Sequence, residues 1–294
     1  MASLCKPFPS MPPSCSQLTT QSCGTCTVCN GGYRQYCAHA SGFAFSDTDQ
    51  GAFSSRRIID AAFCYPIPDG ISSLTAAPLM CAGASTFEAL SAAGLERGGM
   101  KVGIVGLGGL GHMACLMARA MGAIEVNVIF TRPPNDDKLA AANEMVESHD
   151  RGHVWDTTIV PGSAVCADVN GHHGCNYRER IDILIVCSNE LPDWKKVLPF
   201  LNRRATIVLM SIVAGGELKL PYMDFILPGH RIIASTECRK DRFAEMLKLV
   251  ATTGMEPWLE EFPMTEKGLE EAFGKLERGE MRFRGVLTVP EGGT

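Results

Sequence analysis

The sequence predicts an α/β protein built around a parallel sheet. From about residue 76 onward, short apolar runs alternate with stretches of helical periodicity, and this alternation is typical of parallel strands joined by helices. The chain has 294 residues, of which 46% are hydrophobic, which suffices for about two domains of roughly 100–200 residues each. The first 60 residues differ from the rest because they are rich in Ser, Pro, Cys and Gly, a composition typical of loops held by a metal.

Short apolar runs rich in Val, Ile and Leu predict the strands. The predicted strands are Lys101–Val105, Val126–Phe130, Ile181–Cys187, Ala205–Ser211 and Arg231–Ser235. Residues 148–178 are polar and have little periodicity. A loop of that length is uncommon inside a compact domain, and no element is predicted there.

Apolar residues at helical spacing predict the helices. They are Ala76–Leu95, His112–Met121, Asp137–Glu147, Pro192–Asn202, Arg242–Thr253 and Thr265–Arg278. Gly122 and Gly254 follow two of the predicted C-termini, where glycine is favoured, and Thr265 is a suitable N-cap for the last helix. Pro199 predicts a kink within Pro192–Asn202 because proline has no N–H to donate.

Charge and hydropathy exclude several classes of function. The net charge is 27 − 32 = −5, and no long basic stretch supports nucleic-acid binding. No continuous apolar run approaches the roughly 20 residues that a membrane span needs. The N-terminus carries prolines where a signal peptide has its apolar core. We therefore expect a cytoplasmic protein without a membrane or nucleic-acid partner.

Four cysteines near the N-terminus have the spacing of a metal site: Cys23, Cys26, Cys29 and Cys37. Thiols stay reduced in the cytoplasm, so a dense cluster there indicates metal binding rather than disulfides. Four thiolates form a closed tetrahedral Zn²⁺ site, which is structural because it has no open position. The alternatives are incidental surface thiols or an iron–sulfur cluster, although the expected Cys-Pro pattern does not follow.

A Gly-x-Gly-x-x-Gly motif occupies Gly106, Gly108 and Gly111. It follows a predicted strand and opens a predicted helix, which is the context of a dinucleotide site. The first glycine permits the tight turn, the second permits close approach of a pyrophosphate, and the third lets helix and strand pack closely. The helix N-terminus then offers N–H groups to the phosphates. The alternative is a glycine-rich turn without a ligand.

The end of the second predicted strand indicates which dinucleotide is bound. NAD sites carry an acidic residue there for the ribose 2′-hydroxyl, but this strand is followed by Thr131 and Arg132, and no acid occurs before Asp136. Arg132 can pair with a 2′-phosphate and Thr131 can hydrogen-bond to it, while Lys138 adds charge. NADP(H) is therefore favoured. The alternative is that Arg132 is a solvated side chain on a loop.

Several segments together resemble the zinc-dependent medium-chain alcohol dehydrogenases, and among them the NADP-dependent cinnamyl alcohol dehydrogenase group. These segments are Cys23–Cys29 with Cys37, Gln50–Phe53, Pro66–Gly70, Ala77–Gly83, Lys101–Met113 and the part from Asp182 to Gly285. The resemblance implies a Rossmann domain with a doubly wound parallel sheet over residues 71–237. It also implies an incomplete GroES-like, β-rich catalytic domain over residues 1–70, to which residues 238–294 return.

The resemblance also implies site residues, a substrate class and an assembly. It adds Gly109, Leu110, Ser211 and Arg284 to the cofactor contacts. It assigns Cys81 to a catalytic zinc, whereas from the residues alone a small buried side chain is the commoner fate of a cysteine. The substrate would be an alcohol or an aldehyde. A homodimer would form through the sheet edge at Leu220–Ser235, because an exposed strand edge is a liability unless it is paired.

The chain departs from the family in its catalytic zinc ligands. Residues 1–22 contain no Gly-His-Glu motif, and no histidine precedes His39. A catalytic zinc needs three protein ligands and an open position, so we expect this chain by itself to oxidise alcohols poorly. Three hypotheses follow: an NADP(H)-dependent alcohol dehydrogenase or aldehyde reductase, a non-catalytic NADPH-binding protein, and a metal- or redox-sensing protein that uses the cysteine-rich segment.

Overall fold

The computed structural model describes residues 18–43, 58–147 and 180–289, together with three short strands and the single residues Ser46 and Phe53. The short strands are Leu4–Cys5, Ser14–Ser16 and Val154–Asp156. The chain divides into a central unit, Ala89–Ser235, and a split unit formed by Met1–Glu88 and Thr236–Thr294. The domain boundaries at 70/71 and 237/238 that the family resemblance implies stay a prediction.

The central unit contains one parallel sheet. Its strands are β1 (Lys101–Val105), β2 (Glu125–Phe130), β3 (Val154–Asp156), β4 (Ile181–Val186), β5 (Leu201–Leu209) and β6 (Arg231–Ala234). The spatial order is β3-β2-β1-β4-β5-β6, and each neighbouring pair is parallel. This is the doubly wound Rossmann order, in which the chain reverses its direction of travel between β1 and β4. The predicted fold class is confirmed.

The inner strands β1, β2, β4 and β5 are largely buried on both sides, as parallel strands are. Ile104 in β1, Ile129 in β2, Leu184 in β4 and Ile207 in β5 are fully buried. The helices of this unit are α1 (Gly109–Ala120), α2 (Asp136–Glu147), α3 (Trp194–Val197) and α4 (Tyr222–Ile226). The apolar runs thus predicted the core strands to within a few residues.

The predicted helix Pro192–Asn202 is wrong in its second half. The helix α3 ends at Val197, a 3₁₀ turn follows over Leu198–Phe200, and β5 begins at Leu201. Pro199 cannot donate a hydrogen bond to a continuing α-helix. Leu201 instead pairs with Ile181 across the sheet.

The predicted helix Ala76–Leu95 is interrupted. It consists of Ser73–Pro78, a π-helical turn over Leu79–Gly83, the helix Ala84–Ala93 and a 3₁₀ turn over Leu95–Arg97. Pro78 lacks the N–H that a regular helix would use at that position. Within residues 148–178, the strand β3 was not predicted, and most of that region lies outside the described residues.

The split unit contains small sheets and two long helices. Leu4–Cys5, Ser14–Ser16 and Cys64–Pro66 form an antiparallel sheet, Thr19–Gln21 pairs with Ser41–Gly42, and Leu259–Pro263 pairs with Arg284–Thr288. Besides the interrupted helical segment that starts at Ser73, the described helices are Thr27–Asn30, Lys240–Thr253 and Glu266–Glu277, and a 3₁₀ turn lies at Arg34–Tyr36 and another at Ala61–Phe63. The predicted N-cap is confirmed, because the Thr265 side chain accepts a hydrogen bond from the backbone N–H of Gly268 at 3.2 Å. Among the described residues, no helix is long and apolar enough to cross a membrane.

Candidate cofactor and metal sites

The glycine motif lies at the carboxyl end of β1, beside the reversal point of the sheet. Gly106 has φ +87°, a conformation that glycine adopts without steric cost, and its N–H donates to the Ile129 carbonyl oxygen at 3.1 Å. A Cβ at Gly106 would lie 2.8 Å from the Cα of Ser188. Only glycine therefore fits here, because the segment after β4 packs directly on the turn.

The other two glycines have different surroundings. A Cβ at Gly111 would lie 1.9 Å from the Gly106 carbonyl oxygen, whereas a Cβ at Gly108 would meet nothing within 4 Å. Gly111 thus lets α1 pack against the turn. Gly108 borders open space at the start of α1, and Gly109 and Leu110 form the first turn of that helix. The start of a helix presents N–H groups and the positive end of its dipole, which suit a phosphate.

Two of the residues predicted for the 2′-phosphate lie at the carboxyl end of β2, the strand next to β1. Thr131 and Arg132 directly follow β2, while the exposed Lys138 lies in α2. The Arg132 guanidinium forms an ion pair with the Glu190 carboxylate, and the two side chains are 68% and 70% exposed. Hydrogen bonding and charge from Arg132 lower the pKa of Glu190, and the same contacts raise the pKa of Arg132.

Glu190 was not among the predicted site residues. It comes shortly after β4, the neighbour of β1 on the side away from β2. An acidic residue just past a strand is a weak signal until the strand order is known. Of the remaining predicted contacts, Ser211 follows β5 and donates through Oγ to the Val186 carbonyl oxygen at 3.2 Å. Arg284 lies in the split unit, at the start of the strand Arg284–Thr288.

The four cysteines predicted to bind zinc converge in the split unit. Their Sγ atoms all lie within 4.8 Å of one another, and three of the Sγ–Sγ distances are 3.9 Å for Cys23–Cys29, 3.9 Å for Cys26–Cys37 and 3.5 Å for Cys37–Cys23. Sulfurs bound at about 2.3 Å to a tetrahedral Zn²⁺ would stand roughly 3.8 Å apart. The donor set and its spacing therefore fit that ion.

Backbone N–H groups point at these sulfurs. The N–H of Cys26 donates to Cys23 Sγ at 3.4 Å, that of Cys29 to Cys26 Sγ at 3.5 Å, and that of His39 to Cys37 Sγ at 3.4 Å. Backbone hydrogen bonds from Thr25 and Cys26 lower the pKa of Cys23 to about 5, while desolvation raises the pKa of Cys29 to about 11. At least one sulfur is thus favoured as the thiolate that metals bind.

The cysteine lobe (residues 23–37) is attached to the segment Thr236–Arg239 of the same unit. The Arg239 guanidinium lies 4.7 Å from the centroid of the Tyr33 ring, and the Tyr36 hydroxyl accepts a hydrogen bond from the Thr236 N–H at 3.0 Å. A metal that orders the lobe would therefore also order this segment.

Cys81 lies in the π-helical turn Leu79–Gly83 and is partly exposed. Among the residues that the structure describes, three or more metal-ligating side chains come together in the four-cysteine cluster alone. Cys81 is not part of that cluster. A catalytic zinc needs three protein ligands. The described residues around Cys81 do not fit such an ion.

The edge of the central sheet is apolar and exposed. The strand β6 lies at that edge. Tyr222 in α4 and Leu227 just after α4 precede β6 in the chain and are 70% and 69% exposed, and Ile212, in the segment after β5, is 86% exposed. Large exposed apolar patches commonly mark interaction surfaces.

Comparisons with known proteins agree with this fold. A family model described as zinc-binding dehydrogenase matches residues 109–252. The NADP-dependent alcohol dehydrogenase 6 of Saccharomyces cerevisiae is 30% identical over 275 residues, which cover 90% of this chain and 70% of that protein. Cinnamyl alcohol dehydrogenase 1 of Ocimum basilicum is 29% identical over 277 residues, covering 91% of this chain and 71% of that protein.

Solved structures agree as well. A cinnamyl alcohol dehydrogenase from Sorghum bicolor superposes with a TM-score of 0.77 at 24% identity, covering 98% of this chain and 78% of that chain. CAD from Helicobacter pylori, complexed with NADP(H), gives a TM-score of 0.72 at 24% identity, covering 96% of this chain and 76% of that chain. By fold and by sequence, the chain belongs to the zinc-dependent medium-chain alcohol dehydrogenase family.

Proposed function

We propose that the protein is an NADP(H)-dependent oxidoreductase that transfers hydride between an alcohol or aldehyde and a bound nicotinamide. The observation that carries the proposal is the glycine turn at the end of β1. Gly106 and Gly111 leave no room for a side chain, while Gly108 borders open space. In open α/β sheets, ligands bind outside the carboxyl ends of the strands at the reversal point, which is where this turn lies.

The residues of this chain have separate roles in that proposal. The start of α1 binds the pyrophosphate, with the phosphate oxygens against its first N–H groups. Thr131 and Arg132 bind the 2′-phosphate of the adenosine, and Lys138 adds positive charge nearby. Ser211 and Arg284 are proposed as further cofactor contacts. When bound, NADP(H) supplies the hydride acceptor or donor.

The four cysteines Cys23, Cys26, Cys29 and Cys37 are proposed to bind one structural Zn²⁺. With all four positions filled by protein sulfur, that ion has no open position for a substrate and takes no part in the reaction. Its contribution would be to the stability of the split unit, because metal binding and folding are coupled.

Cys81 remains the residue that the family resemblance connects with a catalytic metal. Because the described residues bring no group of three ligands together around it, no step of the reaction is assigned to a metal. The alternative is a protein that binds NADP(H) without turning over alcohols or aldehydes, and the similarity to proteins named alcohol dehydrogenases does not favour it. A metal- or redox-sensing role has no further support beyond the cysteine cluster.

The exposed sheet edge at β6 supports a homodimer. The residues Leu220–Ser235 include α4 and β6, and the Tyr222 and Leu227 side chains are mostly exposed. Pairing of two such edges would cover these side chains and satisfy the open backbone groups of β6. A cytoplasmic location suits a chain with thirteen cysteines, because thiols stay reduced there.

The proposal is tested with purified protein, NADPH and a panel of aromatic and aliphatic aldehydes. Loss of NADPH absorbance with formation of an equal amount of alcohol supports the oxidoreductase. If that turnover is sensitive to chelators and lost in Cys81→Ser, a metal acts in the reaction. Saturable NADPH binding without turnover supports the alternative, and absence of NADPH binding contradicts both.

A further inference from the structure

The ion pair between Arg132 and Glu190 joins the two sides of the cofactor site. Arg132 follows β2 and Glu190 comes after β4, and these strands flank β1 in the sheet. Neighbouring strands are about 4.8 Å apart, so the two residues reach toward each other across the end of β1. The glycine turn begins at that end.

The segment that carries Glu190 is held against the glycine turn. The Cys187 N–H donates to the Val105 carbonyl oxygen at 2.9 Å, and Ser188 leaves no space for a Cβ at Gly106. The Ser188 hydroxyl donates to the Glu190 carbonyl oxygen at 2.6 Å. The Glu190 carboxylate is therefore presented to Arg132 by a segment with its own fixed contacts, rather than by a loop that extends freely into solvent.

We infer that Glu190 is a specificity-determining residue, whose carboxylate competes with the 2′-phosphate of the cofactor for the Arg132 guanidinium. The inference rests on the proposed function, because it assigns Arg132 to that phosphate. In this structure, Arg132 is paired with Glu190. A phosphate that takes its place must displace the carboxylate and then stand close to a second negative charge. Glu190 thus reduces the affinity for NADPH without acting on the uncharged ribose hydroxyl of NADH.

The effect is modest because both side chains are mostly exposed. Exposed ion pairs are weak, so removing the charge of Glu190 should tighten NADPH binding by about two- to fivefold. The difference should shrink as salt is added, because the screening length falls from about 10 Å at 0.1 M to about 3 Å at 1 M. The affinity for NADH should stay within about twofold.

The test compares NADPH and NADH binding to the whole protein, followed by the fluorescence of the reduced nicotinamide, in Glu190→Gln and the unmodified chain. Glu280→Gln is the matched control, since Glu280 accepts a hydrogen bond from Arg278 Nε at 2.9 Å and both side chains are exposed, but the pair lies in the split unit. A third comparison introduces Glu190→Gln into Arg132→Ala. Without the guanidinium, the competition for Arg132 disappears and only the direct repulsion between carboxylate and phosphate remains, so this second change should tighten NADPH binding by less than it does in the unmodified chain.

Tighter NADPH binding in Glu190→Gln alone, with NADH unchanged, supports the inference. Weaker NADH binding in Glu190→Gln would instead mean that the carboxylate accepts a hydrogen bond from the ribose, and it overturns the competition. Unchanged NADPH binding in Glu190→Gln, while Arg132→Ala still weakens it, overturns the role of Glu190 and leaves the proposed function standing. If neither nucleotide binds the unmodified protein, both fail together.

Discussion

The glycine turn predicts different consequences for Gly108→Ala and Gly111→Ala, although each substitution adds one methyl group. In Gly108→Ala, the added methyl group meets nothing within 4 Å, and the backbone has φ −123°, which alanine adopts readily. Alanine is a poorer N-cap than glycine, but it also restricts the unfolded chain. The free energy of unfolding should therefore change by less than about 1 kcal/mol.

The same methyl group occupies the space proposed for the pyrophosphate. Losing a hydrogen bond to a charged group costs about 1.5–3 kcal/mol, which corresponds to roughly 10- to 150-fold in affinity. We therefore expect Gly108→Ala to melt like the unmodified protein and to bind NADPH at least about tenfold more weakly. Calorimetric titration and thermal melts measure the two quantities separately.

Gly111→Ala should behave differently. Its methyl group would lie 1.9 Å from the Gly106 carbonyl oxygen, so the turn and α1 must move apart, and overpacking of this kind costs about 1–3 kcal/mol. Each kcal/mol lowers Tm by about 2–4 °C in a domain of 150–250 residues. Gly122→Ala is the control for a loss of stability without overpacking. Gly122 has φ +88°, which strains alanine, but no atom lies within 4 Å of an added Cβ. NADPH binding by Gly108→Ala as tight as in the unmodified protein would refute this account of the turn.

Four further expectations follow from the structure. Cys26→Ser should release about one zinc ion per chain, measured by elemental analysis, because it removes one of four converging ligands, and unchanged zinc content would reject the site. Arg132→Ala should erase most of an expected 10- to 150-fold preference for NADPH over NADH, and equal binding of both by the unmodified protein would reject it. Light scattering should give about twice the chain mass of 31.7 kDa, with Leu227→Asp shifting the protein toward monomer, whereas a folded unmodified monomer contradicts the dimer. Burial raises the pKa of Glu88, so the folded state binds its proton more tightly and the free energy of unfolding should fall as the pH rises from below the ordinary Glu pKa through the raised one. Glu88→Gln should remove the contribution of Glu88 to this decrease in the free energy of unfolding, measured by denaturant titrations at a series of pH values. An unaltered pH dependence would show that Glu88 is not its source.

Local patterns in the sequence predict the parts of the site that depend on short segments. The cysteine cluster follows from the spacing of its members. Cys26 is the N-cap of the short helix that contains Cys29, and Cys37 directly follows the 3₁₀ turn Arg34–Tyr36. The glycine turn follows from a strand that leads into a helix. The apolar strand runs were equally informative because strands buried on both faces are continuously apolar.

Features that depend on distant pairing could not be predicted in this way. The pairing of Leu201 with Ile181 decides that the chain leaves α3 early and enters β5, and nothing within residues 192–202 except Pro199 points to it. The contact between Arg132 and Glu190 requires the order of β2, β1 and β4 in the sheet. An exposed arginine after β2 therefore resembled a free phosphate ligand, although it has an acidic partner.

The central claim is that the glycine turn of the central unit binds NADP(H) and prefers it to NAD(H). Calorimetric titration of the unmodified protein with NADPH and then with NADH tests that claim directly. We expect one NADPH per chain and an affinity for NADPH well above that for NADH, because the 2′-phosphate meets Thr131 and Arg132. No saturable NADPH binding, or equal affinities for the two nucleotides, would contradict it.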